Sequence, residues 1–124
     1  MQRFYCEVLG CQVERRQDDI GLVQLRAGAQ LIDLVSVQGK LGRRGGNPPG
    51  SAGHNMDHLC LLLQDYDEAA ILAHLHAHRV RVGERGQRYG AHGEGPSLYL
   101  YDPQGNLLEL KGPPGGAAAP ASHR

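Results

Sequence analysis

The chain has 124 residues, the length of one ordinary domain and enough to bury roughly 65–70% of its unfolded surface. Thirteen basic and thirteen acidic residues give a formal charge of zero, so there is no basic surplus of the kind that nucleic acid or an anionic membrane demands. No run approaches the ~20 apolar residues needed to cross a bilayer, and the opening Met1-Gln2-Arg3-Phe4-Tyr5 lacks a signal peptide's apolar stretch; the expectation is a soluble, cytoplasmic protein.

Phe4, Tyr5 and Val8 form one apolar stripe and predict a helix over residues 2–8, stopped by Gly10. Three strands are expected next, at Cys11 to Arg16, Ile20 to Arg26 and Gln30 to Val37, with turns at Asp18-Asp19 and Ala27-Gly28. Residues 38–55 are rich in Gly, Pro, Arg and Ser and carry no period, which marks a linker or a long active-site loop. Met56 to Leu63 is a strand. Asp65 and Glu68 then form a capping-box variant for a helix reaching about His78, with Ala69, Leu72 and Leu75 on its apolar face. Strands close the domain at Val80 to Glu84, Ser97 to Tyr101 and Leu107 to Lys111. Asp102-Pro103-Gln104-Gly105-Asn106 joins the last two as a hairpin. Arg88, Tyr89 and His92 lie in a Gly-rich segment that reads as a substrate loop or a solvated one. Residues 113–124 are expected to be a disordered tail.

The odd number of cysteines, Cys6, Cys11 and Cys60, fits no zinc spacing and reads as reduced, packed thiols. His74 and His78 stand at i, i+4 on the helix, a spacing that can bind metal, but with no accompanying Glu they read as solvated surface residues.

The order is therefore α+β. Residues 56–112 make a complete βαβββ module, and residues 1–37 make the same module without its opening strand. Leu31-Ile32-Asp33-Leu34 repeats as Leu107-Leu108-Glu109-Leu110, an acid inside an apolar strand at the end of each module. An ionised carboxylate in such a strand needs a cation, a donor or water. Strand alternation puts His58 with Cys60 and Leu62 on one face and Leu59, Leu61 and Leu63 on the other, so one face can take a helix and the other can line a cavity. His58, Asp33 and Glu109 are the candidate ligands of that cavity. One imidazole and two carboxylates suit Zn, Ni, Mn, Fe or Co better than Ca. Ser97, Tyr99 and Tyr101 share a face, and Arg88 lies in the candidate substrate loop.

Three motifs carry a resemblance to the vicinal-oxygen-chelate (glyoxalase, bleomycin-resistance and extradiol-dioxygenase) superfamily. Phe4-Tyr5-x-x-Val8-Leu9-Gly10 resembles its first helix end, Asp57-His58-Leu59-x-Leu61 its second opening strand, and Tyr101-Asp102-Pro103-x-Gly105-Asn106-x-x-Glu109 its final hairpin. The resemblance spans about residues 2–112. It implies a cupped mixed sheet holding one divalent metal, with His58 and Glu109 as ligands and Asp33 where glyoxalase-like members carry a glutamate. It further implies a small oxygenated substrate, lyase or isomerase chemistry through a chelated enediolate with Glu109 as base, and a homodimer. Dioxygenase, thiol-transferase and metal-free ligand-sequestering members are the alternatives. Ser97 and Tyr99 match substrate positions of the fosfomycin thiol transferases, but no arginine follows Glu109 to serve a phosphonate. The family's first ligand lies on the strand before the first helix; the expectation is that this strand lies upstream of Met1 or that the chain is a truncated paralogue.

Overall fold

A computed structural model describes residues 1–114. The chain divides into two compact units, Met1–Asn55 and Met56–Arg124. Residues 115–124, most of the expected tail, lie outside the described residues.

Unit one opens with α1 (Gln2–Glu7), which runs into β1 (Gln12–Gln17), β2 (Leu22–Ala27) and β3 (Gln30–Val35). The helix ends as Gly10 takes a φ of +78° and its N–H reaches Cys6 O at 3.1 Å. Glycine is suited to that left-handed conformation because it has no Cβ to clash. The strands form an antiparallel sheet in the order β1-β2-β3, with a register shift between Val13 and Arg15. Tyr5, Cys11, Leu22 and Leu25 are the buried apolar residues of this unit. Burial holds the Cys11 thiol above its ordinary pKa, and the neighbouring Cys6 adds to the rise, as suits a packed, unreactive thiol.

Within residues 38–55, where no element is expected, Lys40–Arg43 form a short helix, α2. Its turn packs closely against the end of β3: a Cβ built on Gly42 would overlap Ser36 O, so only glycine fits there.

Unit two contains β4 (His58–Leu62), α3 (Glu68–Ala77), β5 (Val82–Gly90), β6 (Gly93–Tyr101) and β7 (Leu107–Lys111). Its sheet order is β4-β7-β6-β5, with β4 parallel to β7 and the other pairs antiparallel. Leu98, Leu100, Leu108 and Leu110 are buried, as is Leu75 of α3. Arg85, level with Leu98 across the sheet, donates to Glu68 Oε2 on α3 at 3.2 Å, which ties the helix to the leucine-bearing face. The opposite face carries most of the polar side chains of the sheet, with Leu62 and Leu107 among them.

Two local expectations are corrected here. The cap of α3 is Asp67, not Asp65: its Oδ1 accepts from Ala70 N at 3.2 Å, and Glu68 is the first helical residue. The Gly-rich stretch around Arg88 is not a loop. β5 and β6 run on to Gly90 and Gly93 as one long hairpin closed by Ala91-His92, with Gly93 at φ +105°. Cross-strand pairing overrides the weak strand propensity of glycine. Arg88 therefore sits at a fixed ladder position opposite Gly95.

Tyr66 precedes α3 and lies against Gly112, where a Cβ would come within 2.7 Å of the ring. Its hydroxyl is buried and, among the described residues, has no hydrogen-bond partner. Burial, aided by the charge of Glu68, pushes its pKa up to about 12. The fold thus favours the neutral phenol, and this contribution to stability is complete below pH ~10 and lost as pH rises through about 12. Tyr66→Phe is expected to raise stability by about 1 kcal/mol, because it deletes a buried unsatisfied hydroxyl, and to abolish one late step in the tyrosinate absorbance titration. Thermal unfolding and ultraviolet titration check both.

Candidate metal centre

The polar face of unit two follows from strand alternation. On β4 it carries His58 and Cys60, on β7 Glu109 and Lys111, on β6 Ser97, Tyr99 and Tyr101. Cys60 and Tyr99 flank Glu109 from the two neighbouring strands. Glu109 is 5% exposed, so its carboxylate needs partners. His58 Nε2 stands 3.1 Å from Oε1, and Ser97 Oγ, itself fully buried, donates to Oε2 at 2.6 Å.

Behind the imidazole, His58 Nδ1 donates to Asp57 Oδ2 at 2.6 Å. Carboxylates at both ring nitrogens favour the imidazolium. The pKa of His58 is accordingly raised, first by the bond to Asp57 and then by the charge of Glu109, against the lowering effect of desolvation. Tyr99 lies beside the same carboxylate, its ring centroid 5.9 Å from that of His58 and its face 5.7 Å from Arg88 Cζ. Burial raises the Tyr99 phenol, Glu109 raises it further and Arg88 opposes, so the hydroxyl stays protonated near neutral pH. Desolvation and then Glu109 likewise hold Cys60 as a thiol.

The structure brings His58, Glu109, Ser97 and Tyr99 together. Tyr101 shares their face, its ring covered by Arg81 Cζ at 4.0 Å. Arg88 reaches Tyr99 but also spends hydrogen bonds on Glu84 Oε1 and the Gln87 carbonyl. Asp33 belongs to unit one and is not the buried acid expected from its apolar strand. It is exposed and accepts from Gln24 Nε2 at 3.1 Å, and its face-mates Leu31 and Val35 are exposed as well. Alternation turned Ile32 and Leu34 inward instead. Among the described residues no three or more His, Cys, Asp and Glu side chains gather as a metal-holding group.

Two residues not assigned a role from sequence take part. Asp57 orients His58. Lys111 is 1% exposed, and its Nζ donates to the carbonyl of Arg88 and, at 3.2 Å, to that of Gly95. Asp57 was detectable as the residue flanking a candidate ligand histidine. Lys111 gave no signal, because lysines are ordinarily exposed.

The His58–Glu109 pair fits a divalent ion. Two cis donors each about 2.1 Å from one ion stand about 3 Å apart. The pair shows that edge, and each ligand has the outer partner that metal-ligating side chains usually have, a carboxylate behind the imidazole and a hydroxyl on the carboxylate. Asp57→Asn is expected to weaken divalent-metal affinity about 10–100-fold with little change in folding, as read by titration calorimetry and circular dichroism.

Residues 1–110 match the family defined as the Glyoxalase/Bleomycin resistance protein/Dioxygenase superfamily, and the chain belongs to it. It is 31% identical over 114 residues to a catechol-2,3-dioxygenase of Bacillus subtilis (strain 168), covering 87% of this chain but 35% of that protein. The chain thus spans about a third of the length of this curated relative. Among solved structures it resembles a virulence protein from Salmonella typhimurium, with a TM-score of 0.71, 28% identity, and coverage of 90% of this chain and 83% of the other. A lactoylglutathione lyase from Agrobacterium tumefaciens shares the fold, with a TM-score of 0.63, 24% identity, and coverage of 90% and 81%. The superfamily holds both lyases and dioxygenases. Among the described residues no helix is long and apolar enough to cross a membrane.

Proposed function

We propose that the chain is a metal-dependent enzyme of this superfamily that moves a proton on a small oxygenated molecule, a lyase or isomerase type of reaction. The observation that carries this reading is the shared hydrogen bonding of one buried carboxylate, Glu109, with His58 and Ser97 on the polar face of unit two. His58 Nε2 and Glu109 Oε1 would hold the ion. Zn, Ni, Mn, Fe and Co all suit this donor pair. A bound divalent ion supplies Lewis acidity to adjacent substrate oxygens. Asp57 fixes the imidazole so that Nε2 faces the ion. Ser97 donates to Oε2 and fixes the plane of the Glu109 carboxylate, the group proposed to take the substrate proton. Tyr99 offers a protonated hydroxyl beside that carboxylate. Arg88 and Tyr101 provide a cation and an aromatic edge for the substrate. A homodimer and a cytoplasmic location belong to the same reading.

The test uses chelator-stripped protein reloaded with each of the five metals and offered a panel of vicinal dicarbonyl and hydroxycarbonyl compounds. Turnover that appears with metal and disappears with chelator is expected. Tight ligand binding without metal and without turnover overturns the reading in favour of a sequestering protein. One observation favours a second reading: the curated relative is named a catechol-2,3-dioxygenase. On that reading the Fe(II) form consumes oxygen when given catechol, and an oxygen electrode separates the two.

A further inference from the structure

A second pair of metal-binding side chains lies on α3, away from the face just described. His74 and His78 are one helical turn apart, and both are exposed. Their ring centroids are 4.6 Å apart with planes tilted by 54°. An ion about 2.1 Å from a ring nitrogen lies about 3.2 Å from that ring's centroid, so two imidazoles sharing an ion at near a right angle have centroids about 4.5 Å apart. The rings already stand at that separation.

The helix end that carries them is well fixed. His78 is the C-cap, with its N–H on His74 O at 3.2 Å. Arg79 takes a left-handed φ of +58° and bonds His76 O at 3.0 Å, and Val80 N bonds Leu75 O at 2.9 Å, the paired pattern of a Schellman end. A helix C-terminus also carries partial negative charge, which favours a cation, while the guanidinium of Arg79 just beyond opposes it. His76 lies two residues from each partner and so on the other side of the helix.

We propose that His74 and His78 form a surface site for a borderline divalent cation, Ni²⁺, Cu²⁺ or Zn²⁺, with its remaining coordination positions open to water or an exogenous ligand. Two neutral imidazoles suit these ions and suit Mg²⁺ and Ca²⁺ poorly. The site is independent of the His58–Glu109 reading, and it adds metal to the full chain that does not serve the reaction.

The experiment titrates Ni²⁺ into the full chain without any added histidine tag, in a His58→Ala background that removes the first site. One equivalent of Ni²⁺ is expected to bind. Adding His78→Ala is expected to weaken that binding at least about tenfold, since chelation by two linked donors is lost. Adding His76→Ala is expected to leave it unchanged. Equal affinity with and without His78→Ala, including no binding by either, overturns the proposal, and so does an equal loss from His76→Ala. All three histidines are exposed, so the variants are expected to fold, with circular dichroism as the check.

Discussion

Glu109→Gln is expected to weaken divalent-metal affinity by more than about 100-fold, beyond the range for losing an outer partner, and to lower turnover by about 10²–10⁴-fold. The substitution keeps the size and shape of the side chain. It still offers an oxygen to Ser97 or to His58, but it cannot hold a cation by charge or accept a substrate proton. The cost in fold stability is expected to be small by comparison, because the neutral amide is easier to bury than the carboxylate it replaces. Metal titration together with thermal unfolding separates loss of the site from loss of the fold. A protein that binds metal as the parent does after Glu109→Gln has its metal somewhere else, and the helix histidines are then the first place to look.

Asp102→Ala is expected to destabilise the chain by about 3 kcal/mol and to lower the melting temperature by roughly 10 °C. Asp102 is 5% exposed, and its carboxylate organises the whole turn between β6 and β7. Oδ1 accepts from Gln104 N and Asn106 N, each at 2.9 Å, and Oδ2 accepts from Asn106 Nδ2 at 2.8 Å. Gly105 supplies the φ of +81° that closes the loop. Truncation leaves backbone donors in this partly buried turn without an acceptor, which costs more than the bonds themselves are worth. The functional consequence follows from register. The turn sets how β7 pairs with β6, and that pairing places Glu109 beside Tyr99 and within reach of Ser97. Asp102→Asn, which keeps an oxygen for the two backbone donors, is expected to lose less than half as much. Denaturant and thermal unfolding check both variants.

Much of unit two was readable in the sequence because two simple periods govern it. A histidine on one alternating strand and a glutamate on another share a face in the register these strands adopt, and the Asp-Pro-x-Gly-Asn turn fixed how two of the strands meet. Ser97 and Tyr99 followed from the same alternation. What sequence missed depends on contacts that no local pattern encodes. The glycines of residues 86–95 read as a loop, yet pairing between β5 and β6 makes them strand and buries Lys111 beneath them: a Cβ on Gly90 would stand 2.5 Å from Lys111 Cε. The cap of α3 moved by two residues because Asp65 and Asp67 are equally good caps by composition, and only the path of the chain chooses. Asp33 looked like Glu109 in sequence, since both sit between large aliphatic residues. The difference is their neighbours: Glu109 has a strand on each side, while β3 pairs within its unit only with β2 and leaves the Asp33 face exposed.

The central claim is that His58 and Glu109 hold one ion between them. A crystal of the chain grown with Co²⁺ and recorded at the cobalt absorption edge tests it most directly. An anomalous peak about 2.1 Å from both His58 Nε2 and a Glu109 carboxylate oxygen is the predicted result. A crystal with cobalt bound elsewhere, and the His58–Glu109 hydrogen bond still closed on itself, contradicts it.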